Sequence, residues 1–300
     1  MGKLTIPGVR SSKASRGIGE PLVMVTAYDA PGARTADAAG VDLLLVGDSV
    51  AMVVLGHDDT LSITVEEMAH HTRAVRRASP QALVVADLPW LSYHVSVEDT
   101  VRNAAVLIRA GAQAVKLEGG AKRARMVEAL VDAEMPVMGH VGLTPQSVHA
   151  MGGYKVQAKT ATSAGALVED ALALEAAGVF AVVLEGVPDV VGRLVTEALE
   201  VPTIGIGAGP WCDGQVLVYH DVLGLEDRVV PTFVRRYANL KLAGVEALSA
   251  FASDVRAGRF PDTSESYHLK PEETAALGLA EGSAGLEGGL PIPAPDVACH

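Results

Sequence analysis

The chain has 300 residues, of which 49% are hydrophobic, so it is long enough to bury one large core. Its 24 basic and 36 acidic residues give a formal net charge of -12, which repels phosphate backbones and excludes nucleic acid as an expected partner. Charged residues, Gly and Pro interrupt the apolar runs, and the first twenty residues contain no apolar run of the kind found in secretory signals. We therefore expect a soluble, cytoplasmic protein without a membrane partner.

Eight short apolar runs rich in β-branched residues recur along the chain, and alanine-rich segments of helical length separate most of them. The runs cover residues 22–29, 42–49, 82–89, 114–120, 135–144, 178–188, 201–209 and 214–221. They are apolar throughout, which is typical of parallel strands buried on both faces. This alternation predicts an α/β fold, a single-domain (β/α)8 TIM barrel, and periodicity leaves a doubly wound open sheet as the alternative.

The sequence also indicates where several helices begin between these runs. Thr64 with Glu67, and Ser96 with Asp99, have the spacing of a capping box. Ser163 precedes an apolar-periodic segment and is predicted to open the helix there. Each of these positions lies between two predicted strands, as the β–α alternation requires.

The remaining segments define the predicted domain organisation. Residues 145–162 form a long connection between the fifth and sixth strands, and such loops are usually lids or substrate-side elements. Residues 232–259 indicate closing helices. We predict an N-terminal segment at 1–21, a catalytic barrel at 22–265 and a mobile C-terminal tail at 266–300.

Ionisable residues end several of the apolar runs, which is where barrel enzymes place their catalytic groups. These residues are Asp48, Asp87, Lys116, Glu118, His140 and Glu185. Any one of them could equally be a helix cap or a paired structural group. Six at one rim, each in a position where an unpaired buried charge would be costly, indicate a catalytic site.

The residue types at this rim favour metal-assisted chemistry on a keto acid. Asp48, Asp87 and Glu118 supply hard oxygen ligands, which suit Mg2+, and no cluster of Cys and His favours zinc. Lys116 lies two residues before Glu118, so both side chains point to the same side and the lysine can hold a substrate carboxylate. A metal that stabilises the enolate of an α-keto acid leaves Glu185 as the base for the adjacent carbon.

Other features are less specific. The GIGAG segment at 205–209 lacks the last glycine and the acidic partner of a dinucleotide fingerprint, so we interpret it as close packing or close backbone approach to a ligand. Trp90 and Tyr93 are candidates for lining a pocket, although packing is the commoner role of such residues. Cys212 and Cys299 have neither disulfide nor zinc spacing and are interpreted as reduced thiols.

A set of motifs is spread over roughly residues 22–260. The motifs are VTAYD (25–29), VGDS (46–49), GHDDTLSITVEEM (56–68), ADLPW (86–90), VKLEGG (115–120), GHVGLTPQS (139–147), GGYKVQ (152–157), LEGVP (184–188) and GIGAGPWCDGQVLVYHDVLGL (205–225). Together they resemble the ketopantoate hydroxymethyltransferase family. The resemblance implies transfer of a hydroxymethyl group from 5,10-methylenetetrahydrofolate to 3-methyl-2-oxobutanoate, giving 2-dehydropantoate in pantothenate and coenzyme A biosynthesis. It also implies Mg2+ and a ring-shaped homodecamer.

The resemblance also implies roles for individual residues. It makes Asp48, Asp87 and Glu118 the metal-site acids and Glu185 the general base. The substrate contacts that it implies are Asp48, Ser49, Asp87, Lys116 and His140. The segment at 11–20 departs from the family pattern, and the chain after about residue 265 has no counterpart in it.

Two other functions compete with this one. A lyase or mutase of the phosphoenolpyruvate-mutase and isocitrate-lyase type shares the barrel and the enolate chemistry. Isocitrate lyases, however, use a Lys-Lys-Cys-Gly-His motif that is absent here, and Cys212 lies in GPWCDG instead. The second competitor is a non-catalytic barrel that binds folate or only builds a ring. Such a barrel would have no need for Lys116 and Glu185 at the same rim.

Overall fold

Eight parallel strands close into a barrel in sequence order in the computed structural model, which describes residues 4–13, 20–78, 81–226 and 231–278. The strands are β1 (Leu22–Thr26), β2 (Leu43–Val46), β3 (Leu83–Asp87), β4 (Ala114–Glu118), β5 (Val137–Gly142), β6 (Ala181–Glu185), β7 (Thr203–Ile206) and β8 (Gly214–Leu217). The last strand pairs with the first, Val25 facing Leu217, so no strand edge is left open. The predicted (β/α)8 barrel is confirmed, and the open sheet is excluded.

Helices connect most of the strands, and one further helix precedes β1 and another follows β8. They are α1 (Ile6–Ser12), α2 (Ala30–Ala38), α3 (Val50–Val53), α4 (Val65–Ala78), α5 (Val97–Arg109), α6 (Ala124–Asp132), α7 (Val148–Met151), α8 (Ala161–Ala176), α9 (Asp189–Ala198) and α10 (Tyr219–Leu223). Residues 207–213 are all described and join β7 to β8 without a helix. Within the described ranges, no helix combines the length and the apolar character that a bilayer crossing needs.

The predicted capping residues account for how two helices begin. Thr64 and Glu67 exchange bonds before α4, since the Thr64 N–H donates to Glu67 Oε2 at 2.8 Å and the Glu67 N–H donates to Thr64 Oγ1 at 3.2 Å. Ser96 Oγ accepts from the Asp99 N–H at 3.0 Å and caps α5. Both predictions are confirmed, because each hydroxyl satisfies an amide that has no partner within its helix.

The start of α8 differs from the prediction. Its N-cap is Thr160, whose Oγ1 accepts from the Ser163 N–H at 3.2 Å, while the Thr160 N–H donates to Ser163 Oγ at 3.0 Å. Ser163 is therefore the third helical residue and completes a capping box. The prediction that Ser163 opens the helix was wrong, because serine can serve at the third position as well as at the cap.

Side-chain alternation along the strands explains why charged groups meet inside the barrel. On β3, Leu83 and Val85 belong to the apolar cluster that fills the barrel, and the next residue of the same parity is Asp87. On β6, Val183 belongs to that cluster and Glu185 follows two residues later. The barrel interior is thus apolar for most of its length and becomes charged where the strands end.

The N-terminal segment predicted at 1–21 contributes to the barrel core. Val9 of α1 is completely buried in the same cluster as Leu22 and Met24 of β1. Lys13 follows the helix and places its Nζ 3.0 Å from Asp213 Oδ2, just before β8 begins. The described part of this segment therefore covers the end of the barrel where the strands start, opposite the charged rim.

A second compact unit covers Leu242–His300, of which residues 242–278 are described. It contains most of α11 (Leu240–Arg256), together with α12 (Pro271–Ala276). The stretch predicted at 232–259 as closing helices holds one helix, and this helix begins only at Leu240. Within the predicted C-terminal tail, Pro271–Ala276 is helical, and residues 279–300 lie outside the described part of the chain.

Candidate active site

A cavity of about 920 Å3 lies at the carboxyl ends of the strands. All the site residues that the sequence predicted line it, namely Asp48, Ser49, Asp87, Lys116, Glu118, His140 and Glu185. Tyr154 and Lys155 also line it, so the connection predicted as a substrate-side element at 145–162 does reach the cavity. Neither Trp90, which is exposed, nor Tyr93, which is buried, is among the lining residues, so the candidacy of both as pocket residues was wrong.

Two carboxylates from neighbouring strands meet at one side of the cavity. Asp48 follows β2, and its backbone N–H donates to Asp87 Oδ2, at the end of β3, over 3.1 Å. Gly47 leaves room for the Ser49 hydroxyl, since a Cβ at this position would lie 2.8 Å from Ser49 Oγ. The Ser49 hydroxyl is in turn 2.8 Å from Tyr28 Oη. The end of β2 therefore carries a fixed carboxylate and a fixed hydroxyl into the cavity.

Lys116 is the cation at the centre of the site. Its Nζ lies 2.9 Å from Asp87 Oδ1 and 3.2 Å from His140 Nδ1, and its side chain is almost fully buried. Burial lowers the pKa of Lys116, but the carboxylates of Asp87, Glu118 and Asp48 together outweigh burial and raise that pKa above its usual value. Lys116 is therefore positively charged at neutral pH.

His140 links Lys116 to Glu185. An ammonium group can only donate, so His140 Nδ1 accepts from Lys116 and the ring proton lies on Nε2. That Nε2 is 3.3 Å from Glu185 Oε2. Burial, followed by the charge of Lys116, lowers the pKa of His140, so the ring is neutral at pH 7. A neutral imidazole thus faces one oxygen of the Glu185 carboxylate with its N–H group.

The site contains more acidic groups than basic ones. Burial and the neighbouring charge of Asp87 raise the pKa of Asp48 to about 7, and burial and Asp48 raise the pKa of Glu118 well above its usual value. Among the described residues that line the cavity, Lys116 is the cation that pairs with one of these buried carboxylates, that of Asp87. Buried carboxylates with a shortage of counter-charge and hard oxygen donors fit a divalent cation such as Mg2+.

The carboxylates do not form a complete cage for an ion by themselves. Among the described residues, no three Asp, Glu, His or Cys side chains stand close enough together to hold a metal ion. Mg2+ does not require such a cage, because it usually takes one or two protein carboxylates and fills its other positions with water and substrate oxygens. The arrangement therefore remains compatible with a shared protein–substrate site.

Gln146 and Tyr93 lie outside the cavity lining and form hydrogen bonds that connect two of the acids. The sequence did not predict this role for Gln146. Gln146 is buried beside Pro145, at the start of the connection after β5, and its side chain bonds to Asp48, while its backbone N–H bonds to Glu118. Tyr93 is buried and donates to Gln146 Oε1 at 2.6 Å. The available signal was the position of Gln146 in GHVGLTPQS, a few residues beyond a strand that ends at the charged rim.

The glycine-rich segment after β7 shapes another wall of the cavity. Gly207 adopts a φ of 61°, and a Cβ at this position would lie 2.6 Å from Phe233 Cδ1. Both residues line the cavity. The interpretation of GIGAG as close packing at a strand end is confirmed, since a side chain at Gly207 would collide with the Phe233 ring.

Cys212 takes no part in the site. It is buried and free, and it is not among the residues that line the cavity. Burial raises the pKa of its thiol, which disfavours the nucleophilic thiolate. Cys299, the other predicted thiol, lies outside the described residues. The geometry around Cys212 therefore offers no counterpart to the cysteine of isocitrate lyases.

Solved structures with the same fold include a phosphonopyruvate hydrolase and a 2,3-dimethylmalate lyase, the latter a member of the phosphoenolpyruvate-mutase and isocitrate-lyase superfamily. A phosphonopyruvate hydrolase structure matches with a TM-score of 0.58 at 15% identity, over 93% of this chain and 95% of that one. A 2,3-dimethylmalate lyase structure matches with a TM-score of 0.56 at 17% identity, over 91% and 94%. At these identities the likeness shows the shared barrel fold alone.

Sequence comparison is far more specific. The family model for ketopantoate hydroxymethyltransferase matches residues 3–263. The chain is 54% identical to the 3-methyl-2-oxobutanoate hydroxymethyltransferase of Syntrophobacter fumaroxidans, over 92% of this chain and 96% of the relative. It is 55% identical to the enzyme of the same name from Moorella thermoacetica, over 88% and 98%, and 57% identical to that from Ignicoccus hospitalis, over 81% and 92%. On this evidence, and in agreement with its motifs, the chain belongs to the ketopantoate hydroxymethyltransferase family.

Proposed function

We propose that this protein transfers a hydroxymethyl group from 5,10-methylenetetrahydrofolate to 3-methyl-2-oxobutanoate and so forms 2-dehydropantoate. The family and the names of the relatives supply the reaction. The structural observation that carries the proposal is a single cavity lined by a charged lysine, by several buried carboxylates and by Glu185, which lies next to His140. These are the groups needed to bind a keto acid and to remove a proton next to its carbonyl.

The keto acid would bind between charged and apolar walls. Lys116 is the buried cation available to its carboxylate, and the Ser49 hydroxyl and the neutral His140 ring offer further polar contacts. The branched aliphatic end of the substrate would pack against apolar residues that line the same cavity. These residues are Leu45, Val183, Ile206 and Val216. A few placed polar groups within an apolar pocket are the usual means of orienting a small ligand.

Asp48, Asp87 and Glu118 would contribute to a Mg2+ site, one or two of them by direct contact and the rest through water, with substrate oxygens completing the coordination. When bound, the ion would supply positive charge that stabilises negative charge developing on the keto oxygen. Lys116 would keep the neighbouring carboxylate of Asp87 oriented through its 2.9 Å contact. These acids would bind the cation in their ionised form, because a protonated carboxyl group carries no charge to attract it.

Glu185 would act as the base. The Nε2 of His140 lies 3.3 Å from Oε2 of Glu185, and Oε1 would then be the oxygen that takes the proton from C3 of the keto acid. The C3–H bond breaks and the proton moves to Glu185, while C3 forms a bond with the methylene carbon of the donor and one of the two C–N bonds at that carbon breaks. The second C–N bond breaks when water attacks the same carbon, and the two nitrogens take up the proton from Glu185 and one proton from water. Water supplies the hydroxyl group as tetrahydrofolate leaves. A cavity of about 920 Å3 is within the size range of sites for drug-sized ligands, so it offers room for a donor next to the keto acid.

The test is an assay of the purified protein with 3-methyl-2-oxobutanoate, 5,10-methylenetetrahydrofolate and Mg2+, with 2-dehydropantoate measured by mass spectrometry. A parallel sample without the folate, in deuterated water, follows exchange of the C3 proton by NMR. We expect product in the first sample and exchange in the second, both dependent on Mg2+. Absence of both product and exchange would contradict the proposal.

We also propose a ring-shaped homodecamer located in the cytoplasm, as the resemblance to the family implies. Light scattering coupled to gel filtration measures the mass of the assembly in solution. A mass of ten chains of 31.0 kDa each is expected, and a monomeric mass at the enzyme concentration of the assay would contradict the decamer. Fractionation of the source cells tests the location independently.

A further inference from the structure

We propose that Tyr93 and Gln146 form a positioning pair that fixes the spacing of Asp48 and Glu118 and thereby sets the affinity of the site for its divalent cation. The inference rests on the proposed function, because it takes those two acids as metal ligands. Neither Tyr93 nor Gln146 needs to contact the ion or the substrate in this role. Four contacts made by Gln146 carry the argument.

The side-chain amide of Gln146 can adopt only one orientation. Its Nε2 lies 2.8 Å from Asp48 Oδ2 and 3.0 Å from the carbonyl oxygen of Leu88. A carbonyl oxygen can only accept, and so can an ionised carboxylate, so the NH2 group must face both. Both of its hydrogens are therefore used, one of them to hold an oxygen of Asp48.

Tyr93 enforces this orientation from the other side. Its hydroxyl accepts from the Glu118 backbone N–H at 3.2 Å, and it donates to Gln146 Oε1 at 2.6 Å. If the amide turned over, the NH2 group would face Tyr93, and the oxygen would face two acceptors. The Leu88 carbonyl therefore fixes which way the amide faces, and the Tyr93 hydroxyl stabilises that orientation by donating to Oε1.

The backbone of Gln146 engages the second acid. Its N–H donates to Glu118 Oε2 at 3.0 Å, so side chain and backbone of one residue reach two different carboxylates. Asp48 follows β2 and Glu118 ends β4, and β3 separates these two strands in the barrel. The strand pairing between β2 and β4 therefore does not set the distance between the two carboxylates directly, and Gln146 bridges them.

A purely structural role would not require these groups. Buried polar networks seldom stabilise a fold more than apolar side chains of the same volume. Here every donor and acceptor of the amide is used, and two of the bonds end on proposed metal ligands. Hydrogen-bond partners that orient metal ligands typically contribute about 10–100-fold to metal affinity or activity.

The experiment measures Mg2+ affinity of the purified protein by isothermal titration calorimetry, without substrate. Tyr93→Phe removes one oxygen, and Gln146→Met keeps the length of the side chain but removes the donor to Asp48. We expect each variant to bind Mg2+ about 10–100-fold more weakly than the wild type. At saturating Mg2+, kcat and the KM for the keto acid should return towards the wild-type values, because the substrate contacts are intact.

Matched controls separate positioning from stability. Tyr219→Phe and Gln113→Met change the same residue types at positions whose hydrogen bonds do not involve Asp48 or Glu118, and both should bind Mg2+ like the wild type. The double variant of Tyr93 and Gln146 should lose less Mg2+ affinity than the sum of the two single losses, since both changes disturb the same amide. If Gln146→Met does not fold, Tyr93→Phe decides alone.

The possible failures are distinguishable. If the wild type binds no Mg2+ while the variants are folded, the metal site of the proposed function and the positioning inference are both overturned. If the wild type binds Mg2+ and the two variants bind it equally well, with only a lower Tm, the positioning inference is overturned and the proposed function stands. Fully additive losses in the double variant would likewise contradict action through a single amide.

Discussion

The two ends of the barrel differ in how completely their buried charges are paired. At the end where the strands begin, Asp213 Oδ2 accepts from Lys13 Nζ at 3.0 Å, from the Thr203 N–H at 2.8 Å and from Thr203 Oγ1 at 3.1 Å. One cation and two neutral donors thus converge on one carboxylate oxygen. A buried ion pair satisfied in this way holds local structure and has little reason to bind anything else.

At the end where the strands finish, several carboxylates surround the single buried cation Lys116. The pKa of Asp48 is raised to about 7 by burial and by Asp87, and that of Glu118 is raised by burial and by Asp48. Such a site is costly for the protein alone and becomes favourable once a ligand supplies positive charge. The balance of charge, rather than burial itself, therefore distinguishes the end of the barrel that holds the candidate site from the opposite end.

The largest effect is expected from Glu185→Gln. Loss of a general base typically costs about 10²–10⁴-fold in rate, so exchange of the C3 proton of 3-methyl-2-oxobutanoate with solvent should fall by about that factor. Binding of the keto acid should persist, because the amide preserves the shape of the side chain. NMR in deuterated water measures the exchange, and Glu197→Gln on the exposed face of α9 is the control. Undiminished exchange would remove Glu185 from the base role.

Alanine at Asp48 or Asp87 should have the next largest effect. Each change removes a proposed metal ligand, and we expect Mg2+ affinity to fall by about 100-fold or more, beyond the loss typical of an indirect partner. Excess Mg2+ should restore activity only in part. The Mg2+ dependence of the initial rate measures this, and a dependence unchanged from that of the wild type would show that neither residue holds the ion.

The sequence was sufficient to predict the barrel and its charged rim. Apolar runs and glycine-bounded ends are local signals, and barrel topology brings all strand ends together without further information. Asp87 and Glu118 could therefore be placed in one cavity from their positions in ADLP and KLEGG alone. The family motifs then supplied a reaction that local patterns do not encode.

The parts that the sequence did not reveal depend on contacts between distant segments. Gln146 contacts Asp48 and Glu118 across 98 and 28 positions of the chain, and no local pattern indicates these distances. Val9 likewise enters the barrel interior only because its helix folds back over the strand starts. The helix boundary at Thr160 shows a smaller limit, since two hydroxyl residues three apart can exchange the roles of cap and third position.

Lys13→Met tests the structural end of the barrel. Losing the charged donor to Asp213 should lower the free energy of unfolding by about 2 kcal/mol, because Asp213 Oδ2 keeps its bonds from Thr203. Denaturant titration measures this loss. Mg2+ affinity and kcat of the folded variant should equal those of the wild type. A variant that lost Mg2+ affinity while keeping its stability would contradict the separation of the two ends.

The smallest expected effect is a pH dependence of the stabilisation by Mg2+. The pKa of Asp48 is about 7 in the folded protein and about 3.9 in an unfolded chain, so between these values only the folded state keeps the proton. Asp48 therefore makes the metal-free protein less stable as pH rises from about 4 to 7. Mg2+ binds the ionised carboxylate, so a proton on Asp48 competes with it below pH 7.

This competition has a measurable size. At pH 6 a group with a pKa near 7 is about 90% protonated, so the apparent affinity for Mg2+ should be about tenfold weaker than at pH 8. Tenfold corresponds to about 1.4 kcal/mol, which makes the rise in Tm on adding Mg2+ a few degrees smaller at pH 6. Thermal unfolding at both pH values, with KCl of matched ionic strength as the control, measures the difference. An equal rise at both pH values would mean that Asp48 is already ionised at pH 6, and the shortage of positive charge at the rim would then be smaller than its burial indicates.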